Sequence, residues 1–183
     1  MVAPQIRLAS PIDAAGIVAV LAAIAAERIY SAIDRVWIVG REARYLAWLS
    51  SREAFHVAVN AAQDIVGFQS LDLWSQLLSS MAQVGQVGTF LLPKWRGRGA
   101  VHQLWGATAT FAREAGYRKL VIQVRASNSL AQAFYGHLGF QECGRLTRQV
   151  MIDGVEDDEV LMEFFCSSGR SQDWGPQVRT RCK

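Results

Sequence analysis

Two arginines and two glycines share one short turn of this 183-residue chain, Arg96-Gly97-Arg98-Gly99. An apolar run, Thr89 to Leu92, and Pro93 precede the turn; the helical pattern of Ala100 to Ala115 follows it. Glycine reaches backbone conformations closed to other residues, so such a turn can aim successive N–H groups inward. The first turn of the helix adds N–H groups that have no partner within the helix. With the positive end of the helix dipole behind them and two guanidinium groups beside them, these donors suit a phosphate. The turn predicts a pyrophosphate-bearing cofactor; a plain connection with solvated arginines is the other reading, and these residues alone leave both open.

Other reactive residue types are less organised. Gly97-Arg98-Gly99-Ala100-Val101-His102 lacks the third glycine of a dinucleotide fingerprint, and no Gly-Lys-Ser/Thr of a P-loop follows. His56 falls in a strand, His102 on the first turn of the helix and His137 on a later helix, each without a partner in sequence. Asp157, Asp158 and Glu159 read as a solvated turn or hairpin charge pair rather than a metal site. Cys143, Cys166 and Cys182 lie far apart with no CxxC, so free thiols and no metal are expected.

Composition narrows the partners. The basic balance comes from the segment Cys166 to Lys183, with four basic residues and one acid; the remaining body is neutral. Basic residues of the body are scattered rather than striped, which argues against nucleic acid. The expectation is one domain over residues 1–165 with a flexible basic tail over 166–183. The apolar run Ala14 to Ala26 is short, alanine-rich and without a basic leader, so neither a signal peptide nor a membrane span is expected; this points to the cytoplasm.

The elements that must position the turn follow from pattern. Gln5 to Ala9 alternates as a strand, and Ser10-Pro11 opens a helix to about Arg28 with Ile17, Val20, Leu21 and Ile24 on one face. Glu27 and Tyr30 stand at its C-terminal end, where a carboxylate opposes the dipole unless it has a partner. Arg41 to Leu49 is a second helix, and Ala54 to Val59 and Ile65 to Leu73 form a hairpin with Gly67 at a bulge or close approach. Val84 to Leu92 leads into the glycine turn. The helix from Gly99 ends at Gly116, and Leu120 to Val124 completes a βαβ unit. Ser129 to Leu138 is the last helix; Phe140 to Met151, a turn at Asp153-Gly154, and Val160 to Phe165 close the chain. Trp37, Trp48 and Trp74 are expected in the core, with a place lining an acceptor pocket as the alternative for one of them.

This order of elements, with LLPKWRGRGA, with Asn128 followed by AxxFYGHLGF (Ala131 to Phe140), and with the closing GRLTRQVMIDGVEDDEVLMEFF, resembles the GCN5-related N-acetyltransferase (GNAT) superfamily. The pattern is similar to that of its bacterial phosphinothricin-type small-molecule acetyltransferases. The resemblance implies an α/β (α+β) domain with a mixed, mostly antiparallel central sheet of about seven strands, a parallel splay between the fourth and fifth, and helices on both faces. It implies acetyl-CoA as acetyl donor, no metal, a primary amine of a small or amino-acid-like acceptor, and direct attack in a ternary complex. Protein N-terminal or lysine acetylation and a non-catalytic acyl-CoA-binding module are the alternatives, and homodimers are common in the family.

The same resemblance distributes roles. Arg96, Gly97, Arg98, Gly99, Ala100 and Val101 fall on the Q/R-x-x-G-x-G/A signature that holds the pyrophosphate. Leu91 or its neighbour Phe90, on a bulged strand, would offer a backbone N–H to the developing oxyanion. Asn128 would contact the CoA arm, or cap the next helix. Tyr135 would give a proton to the leaving thiolate, and Glu27 and Tyr30 would border the acceptor. Two positions depart from the pattern. Val101 replaces the final Gly or Ala, and Gln86 stands where phosphinothricin-type relatives carry a glutamate base, so the base is elsewhere or is water.

Overall fold

The computed structural model describes residues 3–166. The expected flexible basic tail lies, beyond Cys166, outside the described residues. Strands β1 (Gln5–Leu8), β2 (Ala54–Val59), β3 (Ile65–Leu73), β4 (Val84–Leu91), β5 (Lys119–Arg125), β6 (Gln141–Ile152) and β7 (Val155–Phe165) form one sheet in the order β1-β2-β3-β4-β5-β7-β6. Helices α1 (Ala14–Glu27), α2 (Val39–Ala47), α3 (Ala100–Glu114) and α4 (Ser129–His137) cover it. Among the described residues only β4 and β5 pair in parallel, as a crossover through α3 requires.

Strand alternation sorts the side chains into two cores. Phe55, Val57, Val59 and Phe68 meet Ile17, Val20 and Ile24 of α1 and Leu46 of α2 on one face. On the other, Trp105, Ala109 and Ala112 of α3 and Tyr135 of α4 pack with Leu71, Val87, Leu120, Ile122 and Val124. Gly67 is a close-approach point, since a Cβ there would stand 2.2 Å from Leu91 Cδ1 and 2.8 Å from the Phe90 carbonyl oxygen.

β4 and β5 keep register for three residues only, Val84 to Gln86 against Lys119 to Val121. Beyond them β4 stays on β3 as far as Leu91, and β5 stays on β7 as far as Arg125. The sheet therefore opens into a V without losing either flank.

Four expectations need correction. The register of β3 with β4 runs unshifted from Gly67↔Leu91 to Leu73↔Gly85, so β4 is not bulged; the gap opens because β5 leaves with β7. β7 begins at Val155, not Val160, because the two-residue turn at Asp153-Gly154 (φ 52° and 78°) lets pairing resume at once. Asp157, Asp158 and Glu159 thus belong to a strand and alternate faces. Trp37, Trp48 and Trp74 are 40%, 83% and 38% exposed, not core. Trp37 precedes the short α2 and packs edge-on to Tyr45 and beneath Arg41, while Trp48 follows its last turn.

Candidate active site

Main-chain directions along β4 decide what faces the gap. Leu92 N–H donates to Val66 O, and Trp74 N–H to Val84 O. Antiparallel alternation then turns the peptide groups of Val84, Gln86, Gly88 and Phe90 toward β3, and those of Gly85, Val87, Thr89 and Leu91 toward β5. The pairing of Gln86 with Val121 uses the Val87 N–H, and past it no β5 partner meets Thr89 or Leu91. Thr89 and Leu91 consequently aim N–H groups into the opening. The Leu91 carbonyl accepts from Arg96 Nε at 3.1 Å. Phe90, by contrast, spends its N–H on β3 and contributes a ring, stacked on Phe68 at 4.9 Å.

A cavity of about 610 Å³ fills the opening and reaches both faces of the sheet. Gln86, Gln123 and Glu159 line it from the α1 face; Thr89, Val124 and Tyr135 line it from the α4 face. Arg96, Gly97 and Val101 border it at the turn. Gly97 and Gly99 hold φ of 68° and 79°, which favour glycine. The first helical bond of α3 is Gln103 N–H to Gly99 O, so the N–H groups of Ala100, Val101 and His102 remain for an external acceptor. Val101 packs against the Leu91–Leu104 cluster while keeping that N–H.

Arg96 and Glu27 come together as a pair. The guanidinium grips the Glu27 carboxylate at 2.7 and 2.5 Å and lies 4.6 Å over the Tyr30 ring. Three residues assigned separately from sequence, to phosphate and to acceptor, are thus one cluster. Glu27 lies at the very end of α1, and Arg96 supplies the cation its position demanded. Arg98 is exposed on the turn.

Asn128 caps α4, its Oδ1 accepting from Ala131 N–H at 3.1 Å. Its Nδ2 donates to Tyr30 O at 3.2 Å. Arg125 Nη1 donates to Arg28 O at 2.9 Å, so the segment after α1 is tied down across the mouth of the cavity, where Tyr30 to Ile33 line it. Buried Tyr135 donates to Thr89 Oγ1 at 2.6 Å, and Gln69 Nε2 donates to the same oxygen at 2.7 Å. Burial pushes the Tyr135 phenol up to about 12, only partly countered by Thr89, so it is a neutral proton donor at ordinary pH.

Four contributors went unassigned in the sequence: Thr89, Gln69, Gln123 and Glu159. Gln123 had a signal, being the one polar residue within Leu120 to Val124. The others depend on register. Among the described residues no group of three His, Cys, Asp or Glu side chains is placed to hold a metal, because Asp157 pairs with Arg125 while Asp158 accepts from Arg148 N–H. No described helix is long and apolar enough to cross a membrane.

Residues 24–140, which include the gap strands, the turn and α4, match the model of the acetyltransferase (GNAT) family. The chain belongs to this family. It is accordingly an enzyme of the N-acetyltransferase type. Solved structures of GNAT proteins are similar to the chain as well. A GNAT-family acetyltransferase from Streptococcus pneumoniae superposes with a TM-score of 0.80 at 22% identity, over 88% of this chain and 99% of that one. A phosphinothricin acetyltransferase from Sinorhizobium meliloti, solved with acetyl-CoA, gives 0.79 at 15% identity, over 97% and 95%. A protein proposed to be a phosphinothricin N-acetyltransferase gives 0.82 at 18% identity, over 90% and 99%. No curated protein matches the chain in sequence. The GNAT fold is thus retained at low identity.

Proposed function

We propose that this GNAT enzyme transfers the acetyl group of acetyl-CoA to the primary amine of a small or amino-acid-like acceptor, by direct attack in a ternary complex. The observation that carries the reading is the cavity itself: unpaired β4 donors, the neutral Tyr135 hydroxyl and the glycine turn converge on one opening through the sheet. Acetyl-CoA supplies an activated acetyl thioester. The donors of the turn and of Ala100 and Val101 fit its pyrophosphate, and the Thr89 N–H suits its amide-bearing arm. Leu91 N–H is assigned to the thioester oxygen, where a fixed donor favours developing negative charge. Tyr135 is assigned the proton for the departing sulfur. Arg96 acts on this reading through Glu27 and Tyr30, as a wall of the acceptor side, and Arg98 remains the guanidinium nearest the phosphates. Asn128 caps α4 and borders the arm.

The tied segment from Tyr30 to Ile33 supports a small acceptor over a peptide, because it narrows the mouth that a chain would need open. Cytoplasmic action and a homodimer belong to the same proposal. Release of CoA thiol over a panel of amines tests the reaction. Turnover with a small amine, lost in Tyr135→Phe, is the expected result; acetyl-CoA binding without turnover of any amine would overturn it.

A further inference from the structure

Glu159 is the one carboxylate among the described residues that line the cavity. It stands on β7 opposite Arg125, half-buried, on the α1 face. Gln123 Nε2 donates to Glu159 Oε2 at 2.9 Å, and Gln86 Nε2 donates to Gln123 Oε1 at 2.7 Å. A row of three side chains therefore crosses the gap at the level where β4 and β5 part. We propose that Glu159 is the general base of the reaction, taking a proton from the acceptor ammonium directly or through one water, with Gln123 and Gln86 fixing its orientation. The inference rests on the amine reading above.

The surrounding charges leave Glu159 available. Arg125, its register partner, turns instead to Asp157 at 2.8 Å and to Arg28 O. On β6, Arg145 faces Asp158 and Glu142 at 3.6 Å. Arg28 pairs with Asp153, Arg96 with Glu27, and Lys119 with Glu163 farther along the sheet. Asp72, across the strand from Gln86, is bonded by the Tyr45 hydroxyl and does not line the cavity. Burial raises the Glu159 carboxyl above the usual carboxylate range, and the Gln123 bond opposes this in part. A raised carboxyl accepts a proton more readily than an exposed one.

The proton count balances. The acceptor enters as R–NH₃⁺ and leaves as an acetamide, so its nitrogen gives up two protons as the N–C bond forms and the C–S bond breaks. One passes to Glu159 and on to water. The other replaces, through water, the proton that Tyr135 gives to sulfur. The exchange releases one proton per turnover.

Glu159→Gln keeps shape and removes basicity. With an amine that the wild type acetylates, kcat/KM is expected to fall on the order of 100-fold and to lose its acidic limb, with acetyl-CoA binding unchanged. Gln86→Glu in the Glu159→Gln background is expected to recover at least about tenfold, since the new carboxylate sits at the other end of the same row. In the ligand-free protein, carbon-13 NMR should find a glutamate carboxyl titrating above the exposed ones and missing from Glu159→Gln. An active Glu159→Gln with an unchanged acidic limb, or no such resonance, would overturn the base and leave the amine reading standing. A wild type that binds acetyl-CoA but acetylates no amine would overturn both.

Discussion

Arg96 closes a two-bond fork onto Glu27, Nη1 to Oε2 at 2.7 Å and Nη2 to Oε1 at 2.5 Å, across 69 residues of sequence. The side chains are 33% and 20% exposed, so solvent screens the pair only in part. The fork joins the end of α1 to the glycine turn and gives the Tyr30 ring its cationic cover. Glu27→Gln is expected to lower unfolding free energy by roughly 1–2 kcal/mol. It should raise KM for the acceptor more than KM for acetyl-CoA. A double-mutant cycle with Arg96→Ala, read by denaturant unfolding, should return a coupling of about 1 kcal/mol.

Tyr135→Phe removes the hydroxyl but keeps the ring packed between Phe134 and Phe140. kcat is expected to drop about 10- to 100-fold, while equilibrium binding of acetyl-CoA stays within about threefold. Because the phenol lies near 12, its ionisation should leave no alkaline limb below about pH 11 in the wild-type rate profile. Steady-state kinetics across pH, with calorimetric binding, check both.

His56 is buried and held neutral, its Nδ1 3.0 Å from Thr108 Oγ1, and burial lowers its pKa to about 4. The unfolded chain binds the proton more readily, so its contribution is complete above pH 6.5 and declines as pH falls from 6.5 toward 4. Loss over that window is on the order of 3 kcal/mol. His56→Gln should flatten the dependence of unfolding free energy on pH between 4 and 6.5, whatever it does to the stability at pH 8.

Gly67→Ala places a methyl group where Leu91 Cδ1 and the Phe90 carbonyl now stand. The carbonyl belongs to the β4 backbone, so relief requires that strand to shift. A cost of about 1–3 kcal/mol is expected, together with a fall in kcat, because Leu91 lies on the same displaced segment. Thermal unfolding and turnover of the same preparation would show whether the two losses travel together.

Local chemistry was the readable part of this chain. The turn glycines, the Asn128 cap, the Asp153-Gly154 hairpin and the parallel crossover each follow from rules spanning a few residues. Glu27 even announced a missing partner through its place at a helix end. That the partner would be Arg96 depends on how α1 crosses the sheet, which no local pattern encodes. Glu159 was hidden more thoroughly, since an acidic run reads as solvated until β7 is known to begin at Val155. Only then does alternation send Asp158 to one face and Glu159 to the cavity. Trp37 and Trp48 erred the other way, because bulk and hydrophobicity predict burial but the short α2 they flank has too little surface to bury them.

Among the described residues, three registered pairs and the bonds of Arg118 and Lys119 N–H to Gln83 O at their head are the main-chain stitching between the β1–β4 plate and the β5–β7 plate. α3 lies beneath the seam as a splint, its Trp105, Ala109 and Ala112 packed in a core that includes residues from both plates. The angle between the plates, rather than any single side chain, sets how far apart Leu91 N–H, Tyr135 and Glu159 stand. An extended molecule lying along the seam adds the rungs the sheet lacks, so a filled seam is a stiffer one.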